Sequence, residues 1–366
     1  MATLISIAAF LAGFTLVAGT LVSAVRMFVV PRSENVLITR IVFVVVWYGF
    51  YLRLRRRDYL QRDRIAAMYA PICLLLLPVA WLGCVMAGYT AMFWAVGVQS
   101  ARAAFTLSGS SLLTLGFAPV SNLPTTLLAF SEAMIGLGLM ALLLAYLPAM
   151  YAAFSKREAA VALLEVRAGS PPSAVQMILR FSRIHGLEQL NEQWPIWESW
   201  FVELEESHTS LAPLVFFRSP QPNRSWITAA GTVMDCAALF SSTLDQPRSA
   251  NAELTIRAGY LALRRIADFF AIAHDGAPKP TDPISVSRAE FDQACAELAA
   301  AGIALKQDRE QCWRDFSGWR VNYDRVLIAL SGLTMAPPAP WSGDRARPIR
   351  SSLFHGARKV RKPSKG

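Results

Sequence analysis

Charge is almost missing from one long stretch of this chain. From Ile65 to Phe154 the only charged side chains are Arg102 and Glu132. A water-soluble fold cannot run so far without charge. The absence therefore excludes an ordinary globular domain for this part of the chain. Cysteine is sparse as well: Cys73, Cys84, Cys236, Cys295 and Cys312 are odd in number and scattered, with no CxxC pair. His185, His208, His274 and His355 do not cluster either. Together these exclude a disulfide framework and a structural zinc site, and leave idle thiols in a reducing compartment. Alternating β-branched runs are lacking. So is any strand–glycine–helix phosphate loop, which excludes a nucleotide-binding regulatory domain of the Rossmann type. No Ser/His/Asp, Cys/His or paired-carboxylate constellation is present, so we expect no enzyme and no bound cofactor.

What remains is apolar and basic at once. The 366 residues are 54% hydrophobic and carry a net charge of +10. The two properties separate along the chain. Charges become frequent after Ser155, and the end is basic and contains Pro and Ser. The break predicts an all-α protein, a membrane helical bundle followed by an all-helical cytoplasmic domain. Four stretches are candidates for spans of about 20 apolar residues. Leu4–Val30 is too long for a signal core and lacks a basic leader, so it reads as a retained helix. Val36–Leu52 is barely long enough and contains Arg40, whereas Ile65–Val96 and Leu123–Phe154 are unambiguous. The boundaries expected are 1–64 for N-terminal helices and a basic loop, 65–154 for the central membrane domain, 155–342 for the helical cytoplasmic domain and 343–366 for a basic disordered tail.

Arginine sets the orientation. Arg53, Arg55, Arg56, Arg57, Arg62 and Arg64 face only Asp58 and Asp63 in one loop, and Lys156 with Arg157 follow the last span. The positive-inside rule then puts both flanks in the cytoplasm, giving a multi-pass cell-membrane protein with cytoplasmic N- and C-termini. Arg26 and Arg32, on the outer side in this reading, count mildly against it. Anionic lipid headgroups are the expected contacts of the basic loop and tail. Nucleic acid is not expected, since no interleaved aromatic motif accompanies the charge.

The cytoplasmic part reads as helices. Ser170 with Pro171 and Gly186 bracket one, and Trp194–Glu206, Ser225–Leu244 and Ala252–Ile272 have helical apolar spacing. Pro278, Pro280 and Pro283 form a linker, after which Ser287 and Glu290 make a capping box. Trp313, Phe316, Tyr323 and Leu327 predict one long final helix. The aromatics Trp194, Trp197, Trp200 and Phe201 read as core rather than as a recognition patch. Glu203, Glu205, Glu206 and His208 read as a solvated acidic face rather than a metal site. The sequon Asn223–Arg224–Ser225 has no role on a cytoplasmic surface.

Between the two clear spans lies Ser100–Pro119, too polar and too rich in Gly and Ser to cross a bilayer. Its residues Ala104–Ala118 read Ala-Phe-Thr-Leu-Ser-Gly-Ser-Ser-Leu-Leu-Thr-Leu-Gly-Phe-Ala. This run resembles the pore helix and selectivity filter of the potassium-channel superfamily, whose filters read Thr-Val-Gly-Tyr-Gly or close variants. The likeness covers about residues 65–154. Gly136 and Gly138, twenty residues and more beyond Gly116, are similar to the glycines of that family's inner helix. The resemblance implies a re-entrant pore helix and filter loop and a cation channel conducting K⁺. Thr114, Leu115, Gly116 and Phe117 would offer rings of oxygens in place of the ion's water. One loop supplies a quarter of each ring, so a homotetramer is implied. Phe117 replaces the family's Tyr, Ala118 its second Gly and Pro119 its Asp. If position 118 required a positive φ, alanine there would be strained, and selectivity for K⁺ over Na⁺ would suffer.

Three further features attach to this stretch. Glu132 lies in the last span, where an ionisable group is costly and points to function. It would brace the pore helix through Ser108, Ser110 or Ser111, or else face the ions. Gly136, Gly138 and Pro148 would serve as gating hinges or as packing sites. The rival to a channel is a non-conducting membrane scaffold or sensor of channel ancestry, whose cytoplasmic helices bind a partner that the sequence does not identify. An exposed aromatic surface on those helices would favour it.

Overall fold

A computed structural model describes residues 2–28, 37–54, 59–184 and 186–346. Expectations that fall elsewhere lie outside the described residues: the ends Val29, Val30 and Val36 of two spans, Arg55–Asp58 of the basic loop, His185, and the tail beyond Ala346. Among the described residues the fold is all-helical and has no strand, only an isolated bridge between Leu244 and Leu305. The chain divides into two compact units. Of the described residues, one unit comprises those of the first two helices together with 65–152, and the other takes 59–64 and those from 153 to 346. Residues 59–64 thus group with the second unit, not with the N-terminal helices.

The first unit holds α1 (Ala2–Phe28), α2 (Leu37–Leu54), α4 (Tyr69–Ala95), α5 (Ala101–Leu112) and the N-terminal part of α6 (Leu123–Ala168). A short helix, α3 (Tyr59–Ala67), leads into α4 with only Met68 between. Among the described residues three helices are long and apolar enough to cross a membrane: α1, α3 with α4, and α6. The apolar stretch of α2, Ile38–Phe50, is shorter than a span requires. At about 1.5 Å per residue α6 is roughly 70 Å long, more than twice a hydrocarbon core of about 30 Å. It continues without a break from the apolar run through Lys156 and Arg157, because both are good helix formers. α1 lies against α4 where Gly13 meets Gly88. A Cβ on Gly88 would stand 2.6 Å from Val17 Cγ2 and 2.8 Å from the Gly13 carbonyl oxygen. Small residues at such a crossing let two backbones touch, which is how helices gain packing energy in lipid. Trp81 donates to Ser23 at 3.2 Å across the same contact. Tyr69 joins α2 to α4 by donating to the Phe43 carbonyl at 3.1 Å, within a ring of Phe43, Trp47 and Phe50.

The second unit is built on α9 (Trp226–Thr243), which is buried around nearly its whole circumference. Around it stand α7 (Ala174–Ile184), α8 (Leu187–Ser210), α10 (Ala250–Phe269), α12 (Arg309–Arg320) and α13 (Asp324–Leu333), with α11 (Arg288–Ala300) beside α7. The Ser287–Glu290 capping box opens α11 as predicted. Trp194, Trp197, Trp200 and Phe201 are all core residues. Glu203 and Glu205 sit in surface pairs with Lys156 and Arg265, while His208 turns inward.

The predicted long final helix is two helices. The chain breaks at Val321–Tyr323 so that α12 and α13 can both pack on α9. A buried charge network fixes the break. Arg320, with no exposed surface, pairs with Asp235 of α9 and with Asp324 at 2.8 Å, and donates to the Trp341 carbonyl. Burial works against the guanidinium charge, but the two carboxylates outweigh it and raise its pKa. Tyr323 donates to Asp235 at 2.8 Å, and Ser285 to Asp324 at 2.6 Å.

A second buried cation, Arg157, holds the turn Ala212–Phe216. It donates to the Leu214 carbonyl at 2.9 Å and to that of Phe217 at 2.8 Å, with Glu158 as its counter-ion. Its Nη1 lies 3.3 Å from His208 Nε2. Arginine only donates, so Nε2 must accept, and Nδ1–H donates to the Leu204 carbonyl at 2.9 Å. Burial, then the adjacent Arg157, hold His208 well below the usual histidine range, so it is neutral when folded. The unfolded chain takes up that proton below about pH 6.5. Stability of this unit should therefore be complete above pH 6.5 and fall as pH drops, by up to about 1.4 kcal/mol per unit from this group. Tryptophan-fluorescence melts of the full chain between pH 7.5 and 5 should show it, and His208→Gln should flatten the slope by that amount. Equal slopes in both proteins would contradict this assignment.

Candidate functional site

α5 begins at Ser100, whose hydroxyl accepts the Ala103 N–H at 3.1 Å, and α6 begins at Asn122, which caps Thr125 at 3.0 Å. Between the end of α5 and Asn122 the backbone is irregular. Ser110 organises its first half. The Ser110 carbonyl accepts the Leu115 N–H at 2.8 Å and that of Gly116 at 3.3 Å, and its hydroxyl accepts the Ala118 N–H at 3.0 Å. Thr114 N–H meanwhile bonds the Ser111 carbonyl at 3.0 Å. The Leu115–Ser110 and Thr114–Ser111 pairs form a Schellman cap, with Thr114 at the left-handed position that glycine usually fills. Its φ is +55°, and that of Gly116 is +71°.

This arrangement relocates the expected strain. Ala118 does not have a positive φ, so the substituted second glycine of the filter motif is not under tension in this chain. Thr114 is, at about 1–2 kcal/mol for a residue with a Cβ in the left-handed region. β-branching makes it a genuine outlier. Its hydroxyl donates to the Leu113 carbonyl at 2.8 Å. Segment Thr114–Phe117 thus closes the end of α5 as a cap, with Leu115 and Phe117 more than half exposed. A cavity of about 670 Å³ borders it, lined among others by Gln99, Arg102, Thr106, Phe117 and Asn122.

Beneath the loop, three helices are tied together by side chains. Ser108 donates to Glu132 at 2.5 Å and lies 3.1 Å from the Met86 carbonyl. Tyr89 and Ser131 share a bond of 2.8 Å. Of the three serines named for Glu132 it is therefore Ser108 that reaches it. Ser110 and Ser111 act on the loop instead, Ser111 through its carbonyl. Glu132 is wholly buried and its second oxygen has no partner. Gly136 sits where α6 meets the end of α5, and a Cβ there would overlap the Leu112 carbonyl oxygen. Gly138 has nothing within 4 Å. α6 passes through Pro148 as continuous helix, and Pro148 is exposed. Gly136 is accordingly a packing glycine, while Gly138 and Pro148 face outward from this chain. The sequence offered Ser110 only as one of three partners for Glu132 and missed it as the hub of the loop; a serine at a helix end was the available signal.

No protein-family model matches this chain, and no curated protein or solved structure matches it either.

The cap predicts three responses. Gly136→Val should destabilise the membrane unit by about 1–3 kcal/mol through overlap with Leu112, while Gly138→Ala should have little effect. Thr114→Gly should stabilise it by about 1 kcal/mol by removing the left-handed penalty. Thermal melts of the full chain in detergent check all three, and a stabilising Gly136→Val or a destabilising Thr114→Gly would contradict the cap.

Proposed function

We propose that this chain is one subunit of a homotetrameric cation channel, conducting K⁺ through a filter made by Thr114, Leu115, Gly116 and Phe117. The observation that carries the reading is the insertion of a capped twelve-residue helix, ending at Thr114–Gly116, between two long apolar helices. The C-terminal end of α5, negative by its dipole, abuts this loop, which suits a site for a cation. Gly116 has the left-handed φ that such a filter needs to turn successive carbonyls inward. The Ser108–Glu132 bond and the Gly136 contact hold α5 against α6. Irregular backbone at membrane depth survives only where protein buries it or water reaches it. A ring of four copies around an axis meets that requirement, and it would cover Leu115 and Phe117.

The topology read from arginine gains support within the second unit. Asp63, just before α4, pairs with Arg218 at 2.6 Å, and α6 ends in the same unit. The start of α4 and the end of α6 then share one side of the membrane, as an out-and-back hairpin around α5 demands. With cytoplasmic arginines, that side is the cytoplasm.

The second reading is a non-conducting protein of the same architecture. The Schellman cap favours it, since Thr114–Phe117 has a structural use without any ion. Against a partner-binding scaffold stands the soluble unit's aromatic cluster, which is core and not surface.

Flux from liposomes decides between them. Wild-type protein should pass K⁺ and Rb⁺, and Gly116→Val should abolish that flux by forbidding the left-handed backbone. Thr114→Ala should reduce it while leaving the soluble unit folded. Ala118→Gly, expected from the sequence to sharpen selectivity, should change little because Ala118 is unstrained. Absence of wild-type flux under any voltage, pH or lipid condition would favour the non-conducting reading.

A further inference from the structure

A cavity of about 500 Å³ opens within the second unit, between α7, α9, α11 and the segment 338–344. That volume suits a small molecule. Val175, Pro338 and Trp341 give it apolar and aromatic walls. Its charged lining is of one sign: Asp235, Glu290, Glu297 and Asp344, with no Lys, Arg or His among the described residues. Asp235 is the buried member, with 2% of its side chain exposed. Both of its bonds, from Arg320 Nη1 and from the Tyr323 hydroxyl, fall on Oδ1. Neither reaches Oδ2, and the side chain borders the cavity.

The charges around Asp235 do not balance. Arg320 is shared between Asp235 and Asp324, so this buried trio holds two carboxylates against one guanidinium. Burial pushes the Asp235 carboxyl above the usual carboxylate range, against the pull of Arg320 and Tyr323. Such a carboxylate is costly to bury unless a further cation meets it. Toward the rim, Arg345 pairs with Glu290 and lies 3.6 Å from Asp344. Glu297 meets the neutral amide of Gln293 at 3.2 Å. The wall is also strained. Trp341 has a φ of +60°, a left-handed conformation that a bulky residue rarely adopts. Arg320 donates to its carbonyl, and Asp344 accepts its N–H at 3.3 Å and that of Ser342 at 2.9 Å. Arg320 thus fixes both Asp235 and the backbone of Trp341. Strained backbone held by several bonds is a feature of ligand clamps.

We propose that this cavity binds a small organic cation, a protonated amine carried on an apolar body. The ammonium group bonds Asp235 Oδ2 and supplies the positive charge that the buried trio lacks. Glu297 adds attraction at the rim, and the apolar body lies along Val175 and Trp341. A neutral ligand would leave the excess carboxylate unmet, and an anion would add to the excess. A bare metal ion would leave the apolar walls unused. The inference concerns the second unit alone and does not rest on the channel reading.

Calorimetric titration of the full chain in lipid nanodiscs tests this with four probes. 2-Phenylethylammonium carries both the charge and the body. 2-Phenylethanol and 3-phenylpropionate replace the charge, and methylammonium removes the body. 2-Phenylethylammonium should bind saturably and at least about tenfold more tightly than the other three, the scale of one charge-assisted bond. Glu297→Gln, a change at an exposed position, should weaken it several-fold without altering the melting of the protein. Asp235→Asn should weaken it further; if that variant does not fold, Glu297→Gln and the probe series still decide. Equal affinity for 2-phenylethylammonium and 2-phenylethanol would overturn the proposal, as would an affinity that Glu297→Gln leaves unchanged. Heat that never saturates, the sign of partition into lipid, would overturn it too. Equal affinity for methylammonium would overturn the apolar body.

Discussion

Lipid offers no hydrogen bonds, and that constraint organises the first unit. From Ile65 to Phe154 every backbone N–H and C=O at membrane depth must find a partner inside the protein. α4 and α6 satisfy this by being helices. The stretch after Leu112 is irregular, and four of its N–H groups are met from the end of α5. Ser110 and Ser111 take up those of Thr114, Leu115, Gly116 and Ala118. Thr114 bears the strain of the required left-handed turn. A threonine that tolerates a penalty glycine would avoid is a residue whose hydroxyl or carbonyl has a use elsewhere, and the ion filter is the use we propose.

The tie between α4, α5 and α6 follows from the same constraint. Glu132 is expensive in a membrane helix, and Ser108 offsets part of the cost by one short bond. The packing of Gly136 on Leu112 lets the α5 end come close enough for that bond to form. The second unit is built differently. There a central apolar helix, α9, is surrounded, and Arg320 and Arg157 are buried only because carboxylates and carbonyls meet them.

Much of this was legible in the sequence. The charge-free run marked the membrane helices, the Ser287–Glu290 pair marked α11, and the helical spacing of Trp194, Trp197 and Phe201 marked a core face. The rest was hidden for definable reasons. Tyr323 and Leu327 keep the helical phase of Phe316, so periodicity could not reveal the break between α12 and α13. The break depends on Arg320 finding Asp235, a partner 85 positions away. The cap at Thr114 was invisible because a β-branched residue is the poorest signal for a left-handed turn. α3 looked like part of a basic membrane loop, because Asp63 is one acid among many arginines and its partner Arg218 is distant in sequence. The bond of Glu132 to Ser108 was among the alternatives, and only geometry could choose between three serines in one turn.

The proposed filter needs a ring of identical loops, since one Thr114–Phe117 segment cannot surround an ion. Native mass spectrometry of the full chain released from lipid nanodiscs measures this directly. A tetrameric filter requires a dominant species of four copies that survives mild activation. Monomers and dimers alone, across lipid compositions that keep the protein folded, would contradict it.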